Sequence, residues 1–277
     1  MLSFLAILSV MVIWAGSFIF ITFGISDISP LSLSFWRFIV ATPLLIPFVS
    51  KRPSLGEIPG FIVLGVSGVS LLYYLQFTAL LYTTPTNASI LINTAVIFIA
   101  AFSAIFFNER LKFQQYIGIL VAFVGIVLVI SEGKLSLSGK SFKGDLMMIA
   151  NGLLWAIYTV YGKKFMGKYS AIELVFWSFV FGVVTLTPFV ALSGLDFPSA
   201  PLTWISILYL SVLCSGFAYV VWYHAVDRLG AAKTSVFIYL IPLFTAALST
   251  AVLGEVITAF KAMGGLLTIV GLYMAEK

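Results

Sequence analysis

Charge is what this sequence has least of. Of its 277 residues 9% are charged and 61% hydrophobic, and the mean hydropathy is +1.14. Soluble domains carry about a quarter of their residues as charges, so that class is excluded and a bilayer is the expected solvent. Cysteine is nearly missing as well: Cys214 alone leaves no intrachain disulfide and no multi-cysteine metal site. There is one histidine, His224, and the chain has no HExxH, no paired-carboxylate constellation and no GxxxxGK[ST] phosphate loop, so metalloprotease and ATP-motor chemistry find no support and no cofactor or metal is expected. Long polar stretches are absent too. The longest, Ser131 to Lys143, has 13 residues, which leaves no room for a soluble domain. The net charge of +5 sits in short basic loops beside apolar runs, so lipid headgroups are expected partners and nucleic acid is not.

What is present is a series of ten apolar runs, at roughly 3–23, 31–49, 58–81, 86–107, 113–130, 144–162, 171–193, 202–226, 232–252 and 258–275. Each is long enough to cross about 30 Å of hydrocarbon as a helix, and none shows the apolar–polar alternation of a barrel strand. The first run has no basic residue before it and no small-x-small cleavage site, so it is expected to stay as a helix. Lys51, Arg52, Arg110, Lys112, Lys163, Lys164, Lys168, Arg228, Lys233 and Lys277 fall on the side that holds both termini; Lys134, Lys140, Lys143 and Lys261 fall on the other. Ten against four places both termini in the cytoplasm and the chain in the cell membrane as a multi-pass protein.

The runs are duplicated. Gln76 to Glu109 aligns without a gap on Trp222 to Glu255 at an offset of 146, with Ala79/Ala225, Ser89/Ser235, Phe98/Phe244 and Glu109/Glu255 among the identities. Gly118/Gly264 and Gly125/Gly271 keep that offset; an offset of 141 pairs Trp14 with Trp155 and Phe35-Trp36 with Phe176-Trp177. The expected division is 1–131, a connecting loop 132–143, and 144–277. Five spans per unit is an odd number, so the second unit must enter the membrane upside down. The fold class expected is therefore all-α and polytopic, ten helices in two inverted five-helix repeats. The glycines, seven apart, predict a close-packed seam.

Several motifs in order, WAGSF at 14–18, FWRF at 35–38, FNER at 107–110, GDLMMIANGLLWAIYTVY at 144–161 and IPLFTAALSTAVLGE at 241–255, resemble the drug/metabolite transporter superfamily. The similarity is to its ten-helix EamA-type exporters, among them bacterial aromatic amino acid exporters. The resemblance spans the whole chain and implies export or exchange of small metabolites, often amino acids, through a central cavity lined by helices 1, 3, 4, 6, 8 and 9. Val96 stands where such proteins often have a proline in helix 4, and Asn108 where the second copy has Gly254.

Polar and aromatic side chains at mid-membrane depth are the candidate substrate contacts, because lipid offers them no hydrogen-bond partner. They are Trp14, Tyr73, Tyr74, Gln76, Asn93, Asn151, Trp155, Tyr158, Tyr219, Tyr223, His224 and Tyr239. Ring faces for stacking beside hydroxyl and amide groups suit a small zwitterion or an apolar amine; each residue equally fits plain helix packing. His224, the only histidine, is read first as a neutral ring bonded to a neighbouring helix near the cytoplasmic end, with a coupling-proton role as the alternative. Arg37, the one basic residue clearly inside a span, is expected to pair with backbone carbonyls or snorkel outward, with a substrate carboxylate as the alternative. Pro242 should kink helix 9, any bend in helix 4 should lie around Asn93, and Glu109 and Glu255 are read as gating or helix-end residues. Glu173 is expected to be solvated.

The function expected is secondary transport of small metabolites, amino acids first, by alternating access around a midplane cavity, with helices 4 and 9 as the moving elements. A drug or polyamine exporter of the same fold, a membrane enzyme, and a non-transporting receptor or scaffold remain alternatives. Oligomeric state is left open, and a monomer is compatible with the pattern.

Overall fold

The computed structural model describes residues 2–82, 88–89, 91–108, 112–131, 141–253 and 258–276. These form ten helical elements and, among the described residues, no strand. They are α1 (Leu2–Ile25), α2 (Pro30–Phe48), α3 (Leu55–Ala79), α4 (Thr94–Phe107), α5 (Phe113–Ser131), α6 (Ser141–Gly162), α7 (Ala171–Ser193), α8 (Pro201–Leu229), α9 and α10 (Ala259–Glu276). The α9 element has three pieces, Ala231–Ser235, a 3₁₀ turn Val236–Tyr239, and Leu240–Leu253. Five helices, α1, α2, α3, α7 and α8, are by themselves long and apolar enough to cross a bilayer.

Local chemistry sets the ends. Ser29 caps α2 and Pro30 takes its first position, where a missing N–H costs nothing. Ser170 and Glu173 form a capping box at the start of α7. Gly194 and Gly230, at φ +86 and +88, stop α7 and α8 in a conformation that side chains avoid. Asn108 ends α4 at φ +54, a left-handed cap that asparagine tolerates and for which glycine is the usual choice.

Packing follows one rule of exchange. α1 packs on α8 and α9, as α6 packs on α3 and α4; α2 lies against α7 and α5 against α10. Swapping α1 with α6, α2 with α7 and so on maps this set of contacts onto itself. The connections give the relative sense of the halves. Loop 26–29 meets loop 194–200, where Asp27 accepts from Ser199 and Ala200 N–H and Asp196 accepts from Ser29 N–H at 2.9 Å. Loop 49–54 meets loop 163–170 at the opposite face, where Lys51 Nζ donates to the Lys168 carbonyl at 2.7 Å and Tyr169 Oη to Glu57 at 3.0 Å. The first connection of one half thus shares a face with the second connection of the other, so the halves are inverted. We call the face of loops 49–54 and 163–170 the near face and the other the far face.

The glycine seam lies between α5 and α10. A Cβ on Gly125 would sit 2.6 Å from the Gly264 carbonyl oxygen, and one on Gly271 2.6 Å from that of Gly118, so the backbones touch. Large apolar side chains such as Leu5, Ile105, Phe113 and Leu192 point outward, as a lipid-facing surface requires.

Three features depart from expectation. Glu173 is 3% exposed, not solvated: Ser50 and Lys51 of the α2–α3 loop donate to one carboxylate oxygen and Ser170 to the other. The break in α9 is the 3₁₀ turn that ends at Tyr239. Pro242 follows in the first turn of the next helical piece, where its missing N–H leaves no gap. Its repeat-related break in α4 does fall at Asn93, which precedes Thr94 and donates its amide to the Ser89 carbonyl. Finally, α3 and α8 each contain a π-helical stretch, Val66–Ser70 and Tyr209–Phe217, that the apolar pattern does not signal.

Candidate functional site

Those π stretches organise the centre. Lengthening the hydrogen-bond step from i→i+4 to i→i+5 leaves backbone carbonyls that an α-helix would use open to other donors, and two carbonyls that take side-chain bonds lie at repeat-related positions in these stretches, Gly68 and Cys214. Each takes a hydrogen bond from an aromatic side chain of the other half: Tyr219 Oη donates to Gly68 O at 2.7 Å and Trp14 Nε1 to Cys214 O at 3.1 Å. Tyr219 also meets its own repeat mate, Tyr73, hydroxyl to hydroxyl at 2.8 Å.

Arg37 closes this network. It is 1% exposed, so it neither snorkels nor bonds backbone carbonyls as expected. Its Nε donates to Ser215 Oγ at 2.7 Å, inside the α8 π stretch, and its Nη2 to Tyr73 Oη at 3.1 Å, with the guanidinium carbon 3.9 Å from the Tyr73 ring centre. Tyr73 can then donate to Tyr219, and Tyr219 to Gly68, so one chain of hydroxyls runs from the guanidinium to the α3 backbone.

Beside it is a cavity of about 50 Å³ walled by Trp14, Ser17, Phe18, Arg37, Leu72, Tyr73, Gln76, Ile92, Asn151, Trp155, Ile238 and Ile241. That volume holds a few waters and is far below the 300–1,000 Å³ of ordinary small-molecule sites, so a solute enters only if the helices part. Both halves contribute walls. Asn151 is fully buried and donates Nδ2 to the Leu72 carbonyl at 2.7 Å, while its Oδ1 has no partner among the described residues.

On the near-face side the cavity ends in a layer of rings. Trp14, Trp155 and Trp222 lie 5.4–5.5 Å apart, centre to centre. Tyr219 and Tyr158 pack on Trp155 at 5.3 and 5.4 Å, and Tyr223 on Tyr158 at 5.1 Å. Beyond this layer a second recess opens among Met166, Tyr169, Tyr223, His224 and Asp227.

Of the twelve residues singled out from the sequence, Trp14, Tyr73, Gln76, Asn151 and Trp155 line the cavity. Tyr158, Tyr219 and Tyr223 stand behind it in the ring layer. His224 is exposed at the near-face recess, away from the cavity. Tyr74 is 42% exposed and is not among the cavity walls. Asn93 and Tyr239 are buried next to the cavity residues Ile92 and Ile238 rather than in its wall. Pro242 is buried in α9. Glu109 and Glu255 lie outside the described residues. Arg37 and Trp222 were not singled out as contacts. For Arg37 the signal was present, a lone charge inside an apolar span; Trp222 is the repeat mate of Gln76, and its aromatic bulk in a mid-membrane cluster was the available hint.

The fold, with a small cavity between its halves into which a few polar side chains project, is that of a polytopic helical membrane protein of the inverted-repeat type used by secondary transporters. The profile of the EamA-like transporter family matches residues 1–131 and again residues 142–276. The chain belongs to that family. A protein of Archaeoglobus fulgidus named as an uncharacterized transporter is 44% identical over 95% of this chain and 93% of its own. A probable amino-acid metabolite efflux pump of Salmonella typhimurium is 29% identical, with 98% and 93% covered. A probable terminal-alkyne amino-acid exporter of Streptantibioticus cattleyicolor is 27% identical, with 98% and 92% covered. A crystal structure at 18% identity superposes with a TM-score of 0.83 over 99% of this chain and 97% of that one, and shares the fold.

Proposed function

We propose that the protein is a secondary transporter that exports or exchanges amino acids or closely related metabolites, working by alternating access around the cavity between its inverted halves. The observation that carries this reading is the cavity itself: polar groups from α1, α2, α3 and α6 converge at mid-membrane depth, sealed from the near face by the ring layer. Buried polarity of this kind is costly in a bilayer and marks solute pathways. The names of the Salmonella and Streptantibioticus relatives support amino acids as the solute class. The breaks in α4 and α9, at Asn93 and at Val236–Tyr239, are places where these helices can hinge, which supports them as the moving elements. The basic residues of the near face support a cell-membrane topology with that face cytoplasmic.

The test is counterflow of radiolabelled amino acids into proteoliposomes holding the purified chain, with amines and polyamines in the same panel. Saturable, protein-dependent flux of at least one amino acid is expected. Flux of amines alone moves the protein to the drug and polyamine exporters; no saturable flux of any solute removes the transport reading.

A further inference from the structure

Arg37 is a permanent cation placed where charge is expensive, and among the described residues no carboxylate pairs with it. A guanidinium has five N–H donors; two are used, on Ser215 Oγ and Tyr73 Oη, both neutral acceptors. The remaining donors belong to a side chain that walls the cavity. The duplication shows that the fold does not require this charge. Under the 141 offset FWRF at 35–38 repeats as FWSF at 176–179, so the mate of Arg37 is Ser178, buried in the same helical frame. A second group in the same wall is also incomplete. With Nδ2 committed to Leu72 O, the Asn151 Oδ1 is a buried acceptor with nothing among the described residues to accept from, and such atoms are rare in folded proteins unless a ligand or water serves them.

We propose that Arg37 and Asn151 are the two poles of a zwitterion site, the guanidinium taking a solute's carboxylate and Asn151 Oδ1 its ammonium, with the Trp14 and Trp155 rings flanking the cationic end. This rests on the transport reading and adds to it a polarity: the solute must carry an anionic group. Tyr73 holds the guanidinium from behind through its hydroxyl and ring face, so the donors on the cavity side stay oriented for a bidentate contact.

The experiment uses the full chain in proteoliposomes and competes counterflow of radiolabelled L-leucine and L-phenylalanine with matched analogues. Isoamylamine and phenethylamine lack the carboxylate; 4-methylpentanoate and 3-phenylpropanoate lack the ammonium. The expected result is that both amines compete about ten- to a hundred-fold more weakly than the amino acids, the range for losing a charged hydrogen-bonded contact, while the acids lose less. Arg37→Gln should raise the half-saturating amino acid concentration by a similar factor, with Arg37→Lys between, since lysine keeps the charge without the fork. Amines that compete as well as their amino acids overturn the proposal and leave transport standing, and this comparison needs no variant to fold. Arg37→Gln protein that elutes as a single species and transports with unchanged half-saturation overturns it as well. Absence of saturable flux for every amino acid removes the amino-acid reading, and the site with it.

Discussion

Glu173 offers the sharpest test of how the near face is held. Its carboxylate receives Ser50 N–H, Ser50 Oγ and Lys51 N–H on one oxygen at 3.2, 2.8 and 2.9 Å, and Ser170 N–H and Oγ on the other at 2.9 and 3.0 Å. It ties the α2–α3 loop to the start of α7. Glu173→Gln keeps the shape but replaces one acceptor oxygen with a donor. The least damaging orientation points the amide NH₂ at Ser170, whose hydroxyl can rotate to accept; the Ser170 N–H then faces another N–H. The three donors on the other oxygen keep a neutral acceptor in place of a charged one. An unpaired donor costs about 1–3 kcal/mol and each weakened bond roughly 1. Water at the membrane face recovers part of this, so we expect about 2–4 kcal/mol. For a chain of this size that is a fall in Tm of about 5–10 °C. The lone Cys214 is fully buried, so a thiol-reactive dye in detergent reports unfolding with no added label. Glu57→Gln, at a more exposed carboxylate paired with Lys168, is the control and should shift less. A Glu173→Gln protein that melts with the wild type, or a larger fall for Glu57→Gln, would refute the clasp.

Other expectations follow from single contacts. Gly271→Ala puts a Cβ 2.3 Å from Ala122 N, whereas at Gly265 the nearest atom is Leu243 Cδ2 at 3.5 Å; the first should cost about 1–3 kcal/mol and the second leave the melt unchanged. Asp27 has its pKa lowered from 3.8 to about 2, first by the Ser199 hydroxyl and then by Ala200 N–H, and Asp196 is lowered too by Ser29. Folded values below unfolded ones give stability that is complete above the ordinary value and lost as pH falls through the folded value. Tryptophan-fluorescence melts should therefore weaken between about pH 4 and 2, and Asp27→Asn should flatten that limb; an unaltered limb would count against the loop contact. Tyr73→Phe removes the hydroxyl that links Arg37 to Tyr219 and should slow counterflow and lower Tm. Tyr74→Phe, on the exposed side, should change stability by less than about 0.5 kcal/mol; equal effects would mean that the relay is unimportant.

Much of this molecule was readable before its coordinates. The ten spans came from apolar length, and observed ends such as Pro201–Leu229 against 202–226 differ by a few residues, except that α4 starts at Thr94 against 86 because of the break at Asn93. The glycine seam was visible because two spacings of seven repeat across a duplication, and backbone contact needs the smallest residue at both places. The site was harder. Depth in the membrane can be read from position along a helix, but the direction a side chain faces depends on helical phase, and the π stretches in α3 and α8 shift that phase partway along. Tyr73 and Tyr74, alike in sequence, follow the π stretch and point about 100° apart as neighbours on a helix do, so one reaches the cavity wall and the other lies outside it. Arg37 was misjudged for a related reason. Its depth suggested escape toward water, but its partners, Ser215 and Tyr73, are distant in sequence and leave no local trace. Glu173 was misjudged because a capping box explains only one of its two oxygens; the other is bound by a loop more than a hundred residues earlier.

Gln76 and Trp222 occupy one position in the ancestral unit, yet one borders a hollow and the other fills its counterpart with an indole. Were the halves identical, trading their conformations would carry the molecule between mirror-equivalent orientations of equal free energy, and it would idle facing either compartment half the time. Unequal occupants lift that degeneracy. On the alternating-access mechanism proposed above, the empty carrier has a preferred resting direction written into its side chains, and the reciprocal exchange, Gln76→Trp with Trp222→Gln, should tip it toward the opposite compartment.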